Sequence, residues 1–109
     1  MLEPILGSTS SERVLLFLFA RKEGYPREIA RFFKTDLAPI QRQLIKLEIN
    51  GVLYSRLAGR TRLYCLNPRY PFKPEIEALL AKALDFYPPD YRERLLMNRR
   101  RPRRSGKPL

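Results

Sequence analysis

The chain has no histidine and only one cysteine, Cys65, among its 109 residues. A disulfide framework or a Cys/His zinc site therefore cannot be assembled within one chain, and catalysis by a histidine base or triad is excluded. Carboxylates are also scarce, with 11 Asp and Glu against 22 Lys and Arg. Most of them fall at helix caps or on helix surfaces, and no nucleophile has a neighbouring base, so an enzyme is not expected. No stretch approaches the roughly 20 apolar residues that cross a bilayer; residues 14–20 are too few and follow a helix start. The chain is expected to be soluble and cytoplasmic, to lie on the nucleoid, and to need no cofactor or metal.

What the chain has is positive charge, unevenly placed. Its net charge is +11. Residues 1–98 carry 16 basic and 11 acidic side chains, whereas residues 99–107 alone add six basic ones, among them Arg99, Arg100 and Arg101. A moderately basic body with a concentrated basic tail is the electrostatic footprint of a polyanion binder.

A first helix is predicted over residues 10–23, with Thr9 and Glu12 spaced as a capping box and Gly24 suited to the left-handed position past the end. Its middle is apolar on every side, so two faces need covering. After Pro74, Ile76, Leu79, Leu80, Ala83 and Leu84 recur at amphipathic spacing. These two helices predict a homodimer seam through Leu15, Leu18, Phe19, Ile76, Leu79, Leu80, Ala83 and Leu84; the alternative is packing within one chain. Residues 1–86 then form one domain with its dimerisation helices. A short helix follows within 87–98, with Tyr91, Leu95 and Leu96 able to extend the seam, and a basic tail over 99–109 is expected to be disordered when alone.

Between those helices, residues 25–67 read as two helices, a tight turn and a hairpin. Pro26 suits the first turn of the earlier helix, and Ile29, Ala30 and Phe33 form its inward stripe. Lys34 and Thr35 make the turn, and Asp36 is placed to cap the next helix. There Ile40, Leu44 and Leu47 face inward, leaving Ala38, Pro39, Gln41, Arg42, Ile45 and Lys46 outside. Small residues at the start let a helix approach base edges, and glutamine and arginine make two-point hydrogen bonds to adenine and guanine. Two strands over 52–57 and 61–66 follow, turning at Ala58-Gly59, with Arg56, Arg60 and Arg62 at the tip to meet phosphates or a narrow minor groove. The fold class predicted is mainly α with a small β-hairpin.

The run Arg27-Glu28-Ile29-Ala30-Arg31, then Ile40-Gln41-Arg42-Gln43-Leu44, Leu47-Glu48 with Gly51, and Gly59-Arg60 before residues 64–68, resembles the winged helix-turn-helix of ArsR-like transcriptional regulators. It is most similar to the short subgroup found beside or fused to nucleotidyltransferases. The resemblance covers about residues 5–86. It implies a homodimer paired through its first and last helices, binding a pseudo-palindromic operator, commonly as a repressor. Two departures stand out. The Cys/His/carboxylate clusters of the family's metal sensors are missing, and Lys34 stands where the family usually has glycine.

The function expected is therefore sequence-specific recognition of double-stranded DNA, with Lys34, Thr35, Ala38, Pro39, Gln41, Arg42, Lys46, Arg56, Arg60, Arg62 and the tail arginines in contact. The second reading is a protein-interaction adaptor for a nucleotidyltransferase or toxin-type partner. A small-molecule effector is left open. Cys65 reads as a packing residue or, less simply, a redox switch across a dimer.

Overall fold

A computed structural model describes residues 1–97. The elements are α1 (Glu3–Leu6), α2 (Thr9–Arg21), α3 (Pro26–Phe33), α4 (Leu37–Ile49), β1 (Leu53–Ala58), β2 (Thr61–Leu66), α5 (Lys73–Leu84) and α6 (Pro89–Leu96). The basic tail over 99–109, including Arg99, Arg100 and Arg101, lies outside the described residues.

α2 is the axle of the fold. Val14, Leu15, Leu16, Phe17 and Leu18 are all at most 2% exposed, and the helix packs against α1, α3, α4, α5, α6 and β2. A helix that is apolar all round is a buried helix. The covering comes from this chain's own elements, which corrects the predicted seam: Leu15, Leu18, Leu80, Ala83 and Leu84 lie inside a single protomer's core. Only Phe19, Ile76 and Leu79 of the predicted set remain partly open. Leu95 of α6 is fully buried as well, because α6 folds back onto α2.

The start of α2 also differs in detail. Ser8, rather than Thr9, is the cap, its Oγ accepting from the Ser11 amide at 3.0 Å. Glu12 turns away from the helix end and enters the core side, where it accepts from the Tyr87 hydroxyl and pairs with the Met1 ammonium at 3.3 Å. Burial alone would raise the Glu12 pKa, but hydrogen bonds from Tyr87 and the Leu2 backbone, together with the ammonium, outweigh it and hold the carboxyl below its ordinary value. The same contact and burial push the Tyr87 hydroxyl upward.

The left-handed turn after α2 falls on Lys22, with φ of 77°. Gly24 serves a different need: it exchanges both backbone hydrogen bonds with Tyr64, at 3.1 and 2.8 Å. A Cβ there would stand 2.7 Å from the Phe17 ring. Glycine thus lets the chain before α3 dock as a short bridge beside β2.

β1 and β2 pair antiparallel from Leu53↔Leu66 to Ala58↔Thr61, leaving Gly59 and Arg60 as the loop. Gly59 takes the positive φ, 66°, at the first loop position, the residue a two-residue hairpin most readily places there. The turn is thus one residue later than predicted. Leu53, Leu63, Tyr64 and Leu66 are buried, while Leu57, Ala58 and Arg60 stand in solvent.

Candidate nucleic-acid interface

α3 and α4 form the helix-turn-helix. α3 starts at Pro26, whose missing N–H costs nothing there, and the Glu28 carboxylate reaches back to the Tyr25 amide at 3.4 Å. It stops because Lys34 enters the left-handed region, φ 54° and ψ 48°, and the Thr35 amide closes on the Ala30 carbonyl at 3.0 Å. A non-glycine residue in this geometry costs about 1–2 kcal/mol, and Lys34 extends its side chain into solvent. Asp36 occupies the cap position of α4 but makes no side-chain capping hydrogen bond, contrary to the expected role.

α4 is anchored by Ile40 and Leu44, both fully buried, with Leu47 partly so. The 3.6-residue period then turns Ala38, Gln41, Arg42, Ile45 and Lys46 outward, and each is exposed; Thr35 and Pro39 are half-covered. Neither Arg42 nor Lys46 has a carboxylate partner among the described residues. Arg42, Ile45, Lys46 and Ile49 border an open depression of about 440 Å³. Ile45 and Ile49 are 52% and 78% exposed, so this face is mixed cationic and apolar.

The hairpin arginines separate into three situations. Arg56 pairs with Glu23, just past the end of α2, at 2.8 Å. Arg62 donates to the Ser55 Oγ at 2.8 Å, and that hydroxyl donates to Glu48 at 2.7 Å, fixing the guanidinium across the strand pair. Arg60 sits in the loop with no carboxylate partner among the described residues. Gln41, Arg60 and Arg62 come together with Tyr25, Pro26, Arg27 and Thr61 around a groove of about 290 Å³. Arg27 and Thr61 are not among the predicted contact residues. An exposed arginine beside the first turn of the earlier helix was the available signal for Arg27.

The aromatic residues divide between core and surface. Tyr64 is buried, and that burial, with the nearby Glu48 charge, raises its pKa against the opposing Arg62. Cys65 is half-buried and faces Tyr54 across the strands. Among the described residues no group of His, Cys, Asp and Glu side chains is placed to hold a metal ion, and no helix is long and apolar enough to cross a membrane.

No protein-family model and no curated protein sequence matches the chain. Solved structures do. Reduced HlyU from Vibrio cholerae is 16% identical with a TM-score of 0.59, over 79% of this chain and 84% of that one. A double mutant of ZitR from Lactococcus lactis in the apo form is 22% identical with a TM-score of 0.55, over 80% and 74%. A further structure of that mutant is 20% identical with a TM-score of 0.51, over 80% and 67%. The six helices and two-stranded antiparallel hairpin of the described residues, together with this likeness, make the fold of this chain a winged helix-turn-helix.

Proposed function

We propose that the protein is a sequence-specific double-stranded DNA-binding regulator of transcription. The observation that carries this reading is the outward face of α4: Ala38, Gln41, Arg42 and Lys46 are exposed on one side while Ile40 and Leu44 anchor the other in the core. A helix held this rigidly, with small residues leading and bidentate donors next, has the form that enters a major groove. The hairpin, with Arg60 and Arg62, then falls on the adjacent backbone, and Lys34 stands near the turn where the first helix crosses it. The basic tail adds attachment through counterion release. Fold neighbours that are regulators support the same assignment.

The protein acts in this reading as a homodimer on a pseudo-palindromic site, as a repressor. The seam uses what a single protomer leaves open near α5: Phe72 at 60% and Phe86 at 68% exposure, with Ile76, Leu79 and Phe19 partly covered. Ile76 and Leu79, three residues apart, share one side of α5, with Phe72 at its start and Phe86 just past its end. Selecting bound fragments from random duplex DNA tests the whole reading. A two-fold motif with half-sites about one helical turn apart is expected; recovery of no motif refutes sequence-specific binding.

One observation favours a second reading, an adaptor for a protein partner such as a nucleotidyltransferase or a toxin-type protein. Ile45, Ile49 and Leu57 are more than half exposed on α4 and the hairpin. Substituting all three with serine would abolish an adaptor contact, whereas a DNA reader would lose mainly the contribution of Ile45 to groove packing.

A further inference from the structure

The groove between the start of α3, Gln41 of α4 and the hairpin loop gathers Arg27, Arg60 and Arg62 without a carboxylate on its lining. Three like charges around one concavity repel each other, so the arrangement is disfavoured unless an anion occupies it. Some cations of this protein are matched with acids, Arg56 with Glu23, Lys73 with Glu77 and Arg92 with Asp85, whereas others on the surface, such as Arg42 and Lys46, are not, and border their open depression as two cations rather than three. Arg27 and Arg60 have no such partner among the described residues. Arg62 is oriented through Ser55 and Glu48. The Thr61 hydroxyl and the Gln41 amide add neutral donors, and the amino end of α3, an eight-residue helix, contributes its positive dipole.

We infer that this groove seats one phosphodiester of the duplex backbone, gripped by Arg27 from the helix-turn-helix and Arg60 from the hairpin. The inference rests on the DNA-binding reading and names the contact that sets its register. Gln41 belongs both to the groove and to the outward face of α4, so an anion held here lies on the path of a strand whose bases meet Arg42. A linear polyanion engages the groove, Arg42 and Lys46 together; an isolated phosphate engages only the first. Arg27 and Arg60 are thus positioning residues, carrying affinity without base preference.

The test uses the full chain, with Arg27→Gln, Arg60→Gln and Arg27→Lys, on a duplex recovered by selection and on an unrelated duplex over a range of salt. Each glutamine variant is expected to flatten the slope of log K against log salt by about 0.9, to weaken both duplexes by the same factor, and to leave their affinity ratio unchanged. Arg27→Lys should restore the slope. One methylphosphonate position should weaken the wild type and leave Arg27→Gln indifferent. Both side chains are exposed, so unchanged thermal unfolding of the variants excludes misfolding as the cause. Unaltered slopes in both variants, with wild-type selectivity intact, would overturn the phosphodiester seat alone. Absence of any preferred duplex for the wild type would overturn the DNA reading with it. Inorganic phosphate at matched ionic strength is the remaining arm: if it occupies the groove, seen as shifts of the Arg27 and Arg60 guanidinium resonances, while DNA binding ignores both substitutions, the groove serves a free anion and the inference is wrong.

Discussion

Arg21 and Arg27 carry the same guanidinium within one short stretch of chain, and the fold treats them oppositely. Arg21 is enclosed, its side chain only 7% exposed and 3.9 Å from the equally enclosed Glu28. It donates to the carbonyls of Leu95 and Arg94 at 3.0 Å and lies over the rings of Phe17 and Phe32. One cation thereby ties α2, α3 and α6 together. Arg27 is exposed and meets no acid among the described residues. Charge in this protein therefore has two uses, an internal fastening held by carbonyls, a carboxylate and rings, and an outer face in which cations are left for a partner.

The contrast breaks most visibly at Arg21. Arg21→Ala removes the cation beside the buried Glu28 and the donor to the last carbonyls of α6, and removing one partner of a buried pair costs about 3–5 kcal/mol. Urea denaturation is expected to show that loss, and Arg21→Lys should recover little of it, since an ammonium lacks the planar fork that spans two carbonyls. An Arg21→Ala midpoint equal to wild type would mean that the fastening is ornamental. On the outer face the corresponding change, Arg42→Ala, should leave the denaturation midpoint alone. It should instead weaken binding to a selected site by about 1–3 kcal/mol and relax preference at one base position. Equal loss on selected and random duplexes would assign Arg42 to the backbone.

Glu12 and Tyr87 sharpen the same distinction through pH. Because the Glu12 carboxyl is held below its ordinary value, the unfolded chain binds more protons than the folded one in the acid range. Stability from this group is complete above the ordinary carboxyl pKa and is lost as pH falls through the depressed one. Tyr87→Phe removes a hydrogen bond to a charged group, costing about 1.5–3 kcal/mol at neutral pH, and should make the acid limb of the stability curve shallower. Tyr87 itself titrates above its ordinary value, so the wild type should also lose stability as pH rises beyond the usual tyrosine range. An acid limb of the same steepness in Tyr87→Phe would show that the hydroxyl does not hold the carboxylate.

How much of this was readable beforehand depended on whether a residue's role was local. Pro26, the inward stripe at Ile29 and Ala30, and the Ile40–Leu44 stripe act within a turn or two, so the helix-turn-helix and the outward face of α4 followed from spacing. Gly24 was misassigned because its glycine requirement comes from the ring of Phe17 across a backbone bridge, a contact that no local pattern encodes. The same holds for Glu12, drawn from a helix cap to Tyr87, and for Arg56, drawn from the hairpin to Glu23. The two apolar faces of α2 suggested a partner chain because α1, at four residues, is too short to announce itself, and nothing local to the expected short helix shows that it folds back over α2. Gly24→Ala measures this directly: forcing a methyl against Phe17 should lower stability by about 1–3 kcal/mol, the usual cost of overpacking, as a shifted denaturation midpoint.

The smallest expected effect lies where the two uses of charge meet. Arg56 is a hairpin arginine by position, yet Glu23 holds it at 2.8 Å with side chains 52% and 32% exposed. An exposed pair of this kind contributes about 0–1 kcal/mol, so Glu23→Gln should barely move the denaturation midpoint. Releasing the guanidinium adds a cation to the outer face, and the salt dependence of DNA binding should steepen by up to about 0.9 in log–log slope. A steeper slope at constant stability would place Glu23 as a restraint on how tightly the hairpin grips a backbone. An unchanged slope would leave Arg56 among the fastening residues, because its reach, once released, would then fall short of any phosphate.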